Sequence, residues 1–212
     1  GGRDHGADWL YSNAAYASLG AVVSATTEGT FGAAMTQRVF EPLGMAHTGI
    51  PTAAEGARLL LEGRLAHAYT GTSGSTGREG RAFAGLARTI TEGPFAGRRE
   101  RIYHGADAMS PAFGMASTAP DLAAWVRMLL GVGPETLLTP AGREAMLQAK
   151  FRFGPDATTP GGWSIGLRVV DGEPPYLRHG GWFAAYRSHV SLQLDPPIGV
   201  VVLTNADDAD PN

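Results

Sequence analysis

The sequence predicts an α+β fold. A mainly helical region over residues 1–160 precedes antiparallel strands over 161–212, within one domain spanning 1–212. Three observations predict it. Apolar residues recur at helical spacing in capped segments as far as Ala149. From Trp163 onward the segments are short and β-rich, and turn residues separate them. Asp195-Pro196-Pro197 then supplies a hairpin-type turn between the last two strands.

In chain order, residues 1–10 form a polar, Gly-rich approach ending in Trp9-Leu10. Ala14 to Thr27 reads as a helix of small residues buried on most sides, with Ser12 or Asn13 as its N-cap. Tyr11 therefore stands just before a helix start. Thr30 to Glu41 is a second helix, ended by Pro42. A short helix fits within 53–66. Thr70 to Gly80 is Gly- and Ser/Thr-rich and reads as a surface loop long enough to be functional. Thr118 to Gly131 is the clearest helix. Ser117 or Thr118 caps it, Pro120 fits its first turn, and Asp121 suits its positive end. Thr139-Pro140 opens another helix to about Ala149. The expected strands are Trp163 to Val170, Tyr176 to Arg178, Tyr186 to Leu194 and Gly199 to Thr204.

The bulk properties exclude several classes. The chain has 212 residues, 43% hydrophobic and 17% charged, an ordinary globular composition. A net charge of −3 without a Lys/Arg run argues against nucleic acid as a partner. No apolar run is long enough for a membrane span. The absence of cysteine excludes disulfides, thiol catalysis and zinc-cysteine sites, and leaves the compartment open. Lys150 is the only lysine. Gly1-Gly2-Arg3 lacks an initiating Met, so the numbering is expected to begin inside a longer protein.

Residues 179–191 carry the strongest functional signal. His179-Gly180-Gly181 opens a stretch of strand, where glycine contributes little to packing. Gly180 and Gly181 point either to close approach of a ligand or reacting group, or to a β-bulge or packing corner.

Five segments in order resemble one known family. Tyr11-Ser12-Asn13 looks like a Tyr-x-Asn motif. Val39-Phe40-Glu41-Pro42-Leu43-Gly44-Met45 with Thr48, Gly114 to Ala123, His179-Gly180-Gly181 and Val200 to Asn205 follow at matching spacing. Together they resemble the class C β-lactamases, the D-alanyl-D-alanine carboxypeptidases and the β-lactamase-like esterases. The resemblance implies a β-lactamase/transpeptidase-like fold and acyl-enzyme chemistry on a small-molecule ester, amide or β-lactam, with no cofactor and no metal. It gives Tyr11 the role of general base, and Asn13 that of holding a substrate amide. It places His179 beside Tyr11 and makes the Trp182 backbone N–H an oxyanion donor. Gly180 and Gly181 would then keep the acyl group's path clear. His179 replaces the lysine of the β-lactamases' Lys-Thr-Gly motif, which resembles the esterase and peptidase branches more. Trp182, Phe183 and Tyr186 hint at an apolar acyl pocket.

One departure matters. The family's nucleophile is the serine of Ser-x-x-Lys, and the residue three before Lys150 is Leu147. In the family that motif lies upstream of Tyr-x-Asn. The chain is therefore expected to be the C-terminal larger part of a family member, incomplete at the N-terminus and also lacking a closing helix. By itself it is expected to be inactive. The competing expectation is a non-catalytic peptide- or peptidoglycan-binding module or partner subunit.

Other motifs read weakly. Gly162-Trp163-Ser164-Ile165-Gly166 matches the nucleophile elbow of α/β-hydrolases, but a strand rather than a helix follows it. Asp4, His5 and Asp8, and Asp207, Asp208 and Asp210, read as solvated charges rather than metal ligands. His47, His67 and His104 with Asp107 read as loop or surface residues, and Trp125 and Trp163 as core.

Overall fold

The computed structural model describes residues 9–70, 87–92, 96–101, 106–133, 137–154, 158–183 and 185–206. The helices begin where the sequence supplies side-chain acceptors. Ser12 caps α1 (Asn13–Thr26), accepting from the Ala15 N–H at 3.1 Å. Thr30 caps α2 (Phe31–Met35), which continues as a π-turn over Thr36–Phe40 before Pro42 stops it. Thr52 and Glu55 close a capping box on α3 (Ala53–Leu61). Thr118 caps α4 (Ala119–Leu130), which Gly131 ends in the left-handed conformation, φ 71°. Thr139 caps α5 (Pro140–Leu147).

Two antiparallel sheets form among the described residues. Strands β1 (Tyr69–Thr70), β2 (Ala87–Thr89) and β3 (Arg99–Arg101) make a small sheet in the order β1-β3-β2. The main sheet runs in sequence order from β4 (Phe151–Arg152) through β5 (Gly161–Trp163), β6 (Arg168–Val170), β7 (Tyr176–Phe183) and β8 (Tyr186–Gln193) to β9 (Ile198–Thr204). Four short strands thus lie within residues 1–160. Residues 66–69 tie the small sheet to the main one. The Tyr186 hydroxyl donates to the Ala66 carbonyl, and the Asn205 amide donates to the His67 carbonyl at 2.8 Å.

The core forms where α4 lies on β8 and β9. Val126 and Leu129 from the helix meet Leu167, Val169, Leu177 and Leu192 from the sheet, with Leu147 of α5. Gly199 explains its own identity. A Cβ there would lie 2.3 Å from Val126 Cγ1, so the helix rests directly on the strand backbone.

A buried carboxylate locks the start of α4. Asp121, 6% exposed, accepts from the His47 backbone N–H at 2.7 Å and the Thr48 hydroxyl at 2.8 Å. Its own N–H donates to the Thr118 hydroxyl. One residue therefore fastens the Gly44–Gly49 turn to the helix and favours the helix's positive end.

Three elements differ from the sequence reading. Trp163 to Val170 is not one strand. It is the β5–β6 hairpin, turned over Ser164 to Leu167 with Gly166 at φ 86°. The Ser164 N–H and hydroxyl both donate to the Leu167 carbonyl, so Ser164 is a turn residue and no elbow forms. Strand β7 does not stop at Arg178 but runs unbroken through both glycines to Phe183. Helix α1 is not buried on most sides. Tyr16, Leu19 and Val22 are exposed, and only Gly20 is buried, where a Cβ would meet Pro111 at 2.0 Å. The candidate loop at 71–80 lies outside the described residues.

Replacing Asp121 by alanine removes two buried acceptor contacts and should cost about 2–4 kcal/mol in urea unfolding at neutral pH. Gly199→Ala should cost about 1–3 kcal/mol by overpacking against Val126. Losses near zero would contradict these two packing assignments.

Candidate active site

The site grows from a mismatch in strand length. β7 pairs with β8 along its whole length, from Tyr176↔Gln193 to Phe183↔Tyr186. On its other side β6 pairs only with Tyr176, Leu177 and Arg178. From His179 onward that side of β7 has no strand beside it among the described residues. Side chains alternate along a strand, so His179 shares a face with Leu177, which is buried in the core.

Tyr11 reaches this edge from the helical side. Because Ser12 caps α1, Tyr11 lies just outside the helix and is 51% exposed. Its ring centroid is 6.4 Å from that of His179 and 6.1 Å from that of Trp163. Trp163 meets His179 edge-on at 5.8 Å and stacks on Trp9 at 5.0 Å. Phe153 abuts Trp9 at 5.8 Å. Of these rings, Tyr11, Trp163 and His179 wall a cavity of about 270 Å³, with Gly180 also in its lining. Arg168, Arg178 and His189 complete the lining.

The structure therefore brings Tyr11, His179 and Gly180 together. It does not bring every candidate there. Asn13 is exposed in the first turn of α1, outside the cavity lining. Trp182 is half-buried on the open-edge stretch of β7, paired with Arg187, and is also outside the lining. Gly181 has a packing reason for its identity, since a Cβ would lie 2.5 Å from Ser188 Oγ on β8. Trp163 was expected in the core and instead walls the cavity. Its indole N–H is buried without a hydrogen-bond partner.

Sequence reasoning missed Trp9, Phe153, Arg168, Arg178 and His189. Each is an ordinary residue in an ordinary segment. Only the register of the β5–β6–β7 ladder and the ring contacts assemble them. Recognising a turn at Gly166 would have placed Arg168 on a strand of its own, next to β7.

Burial pushes the His179 imidazole below the ordinary histidine range, and His189 adds to the shift. A hydrogen bond with the Gly180 backbone opposes it. The ring is therefore neutral at neutral pH, able to donate through one nitrogen and accept through the other.

Among the described residues no group of three His, Asp or Glu side chains is arranged to hold a metal ion. Asp4, His5, Asp8, His104, Asp207, Asp208 and Asp210 lie outside the described residues. No described helix is long and apolar enough to cross a membrane.

A family model for beta-lactamase matches residues 2–212. The chain belongs to the beta-lactamase family. No curated protein matches the sequence. Solved structures of the same fold do. An octameric penicillin-binding protein homologue from Pyrococcus abyssi superposes with a TM-score of 0.71 at 19% identity, covering 97% of this chain and 40% of that one. A D-amino acid amidase from Ochrobactrum anthropi SV3 gives 0.67 at 18% identity, covering 94% and 52%. EstCE1, a hydrolase with promiscuous acyltransferase activity, gives 0.63 at 24% identity, covering 94% and 51%. At these identities the likeness is one of fold. This beta-lactamase family chain spans about half the length of these relatives or less. The β-lactamase/transpeptidase-like α+β architecture expected from the five motifs is the one observed.

His179 should titrate below the unperturbed value of about 6.5 in an NMR titration of its ring protons. The unfolded chain then binds a proton that the native state refuses. Stability should rise with pH between the native and the unfolded values and level off on either side of that window. A His179→Phe variant should show a flatter dependence. A native titration above the ordinary value would contradict the burial argument.

Proposed function

We propose that these residues form the base-and-edge half of a serine hydrolase site that works through an acyl-enzyme on an ester, amide or β-lactam. The supporting observation is that the Tyr11 phenol and the neutral His179 imidazole wall one cavity at the open edge of β7. Acyl transfer needs a nucleophile, a proton acceptor and donors for the developing oxyanion. In this reading Tyr11 takes the proton from the nucleophile. His179, held neutral, donates to or accepts from that phenol without adding a charge. Asn13 holds a substrate amide, and the Trp182 N–H on the exposed edge donates to the oxyanion. Gly180 and Gly181 leave the edge clear for the acyl carbon. The structural relatives include a D-amino acid amidase and a hydrolase with promiscuous acyltransferase activity, in keeping with this class of reaction.

The nucleophile is the serine of a Ser-x-x-Lys segment outside these 212 residues, within which Lys150 is the only lysine. These residues alone therefore form no acyl-enzyme.

Intact-mass spectrometry tests both parts. The 212-residue chain incubated with penicillin or a p-nitrophenyl ester should show no added mass. A polypeptide that also supplies Ser-x-x-Lys should gain the acyl group, and Tyr11→Phe in it should slow acylation about 10²–10⁴-fold. A covalent adduct on the shorter chain, or an unchanged rate with Tyr11→Phe, would overturn the proposal.

A further inference from the structure

A second cavity, of about 430 Å³, opens at the small sheet and shares no described lining residue with the one beside His179. Tyr69 on β1 and Glu100 on β3 are direct partners, so both side chains leave one face of that sheet. His67 joins them from just before β1, and Ile90 and Glu92 from just after β2. The wall is fastened to the main sheet. Besides the two bonds from Tyr186 and Asn205, the Tyr69 N–H donates to the Asn205 carbonyl at 2.8 Å. The charge in this wall is one-sided. Among the described residues it holds two carboxylates and no lysine or arginine. Glu100 is 8% exposed, and a carboxylate taken that far from water needs donors around it. His67 Nδ1 supplies one. Glu92 is exposed and has no hydrogen bond or ion pair among the described residues. Glu62 differs in this respect, since it meets Arg58 at 2.7 Å and Arg64 at 3.7 Å.

We propose that this cavity is a second ligand site, which takes a small organic ammonium ion carrying an aromatic or aliphatic body. The ammonium group donates charge-assisted hydrogen bonds to the Glu92 and Glu100 carboxylates. Tyr69 adds cation–π attraction, and with Ile90 it supplies apolar area for the body of the ligand. A volume of about 430 Å³ admits one ring with a short ammonium-bearing arm. The site uses none of the residues assigned to the acyl chemistry above. Its success or failure is therefore separate from that of the proposed hydrolase reaction.

Phenethylammonium and its neutral counterpart phenethyl alcohol are titrated into the 212-residue chain at neutral pH and low salt. NMR follows the ring resonances of His67 and Tyr69, with those of Trp163 and His179 as reporters of the other cavity. The ammonium ion should shift the first pair and bind at least about tenfold more tightly than the alcohol, the step expected for one charge-assisted contact. Added salt should erode the difference. Glu92→Gln, a change at an exposed position, should bring the two ligands to within about threefold of each other. Glu100→Gln should do the same where it folds. Equal binding of the two ligands, or no binding of the ammonium ion, would overturn the proposal. So would a preference unchanged in folded Glu92→Gln, or shifts confined to Trp163 and His179.

Discussion

The strand edge exposed at His179 is the constraint from which the rest of the site follows. β6 offers only three residues to β7, because the β5–β6 hairpin turns at Gly166 and is short. β7 continues for five residues beyond that pairing, held on its other side by β8. An open sheet edge is ordinarily a liability, because its backbone groups seek partners. Here it is short, and Trp163 and His179 face each other where β6 ends.

Rigidity behind that edge comes from the other side of the sheet. α4 lies on β8 and β9 closely enough that Gly199 can carry no side chain, and Asp121 fixes where the helix begins. The strand that bears His179 is thus part of a packed layer and not a loop, which suits a group that must be held in position. Tyr11 is held differently. It precedes a capped helix whose outer face, with Tyr16, Leu19 and Val22, is exposed. Its position depends on ring contacts with Trp163 and Trp9 rather than on burial.

Much of this was legible in the sequence, for reasons that can be named. Thr118 and Thr139 are capping residues ahead of apolar periodicity, and the structure starts helices at both. The strands after Tyr176 are dense in β-branched and aromatic residues, and they pair in order. The family was readable because its motifs are discontinuous in sequence but fixed in order, from Tyr11 to Asn205. What was not legible depended on partners. Helical periodicity reports an apolar face without saying whether anything covers it, so α1 read as buried. Gly166 sat inside an apparent Gly-x-Ser-x-Gly and hid a turn. Arg168 and Arg178 became neighbours only once the ladder's register was known, since a slip of one residue would send them to opposite faces.

The Tyr11 phenol, the Trp163 indole and the His179 imidazole share one cavity. A nuclear Overhauser spectrum of the folded chain measures this directly. Ring centroids 5.8 to 6.4 Å apart predict cross-peaks from the His179 ring protons to the rings of both Trp163 and Tyr11. A folded protein whose His179 ring shows contacts to neither would contradict the site as described.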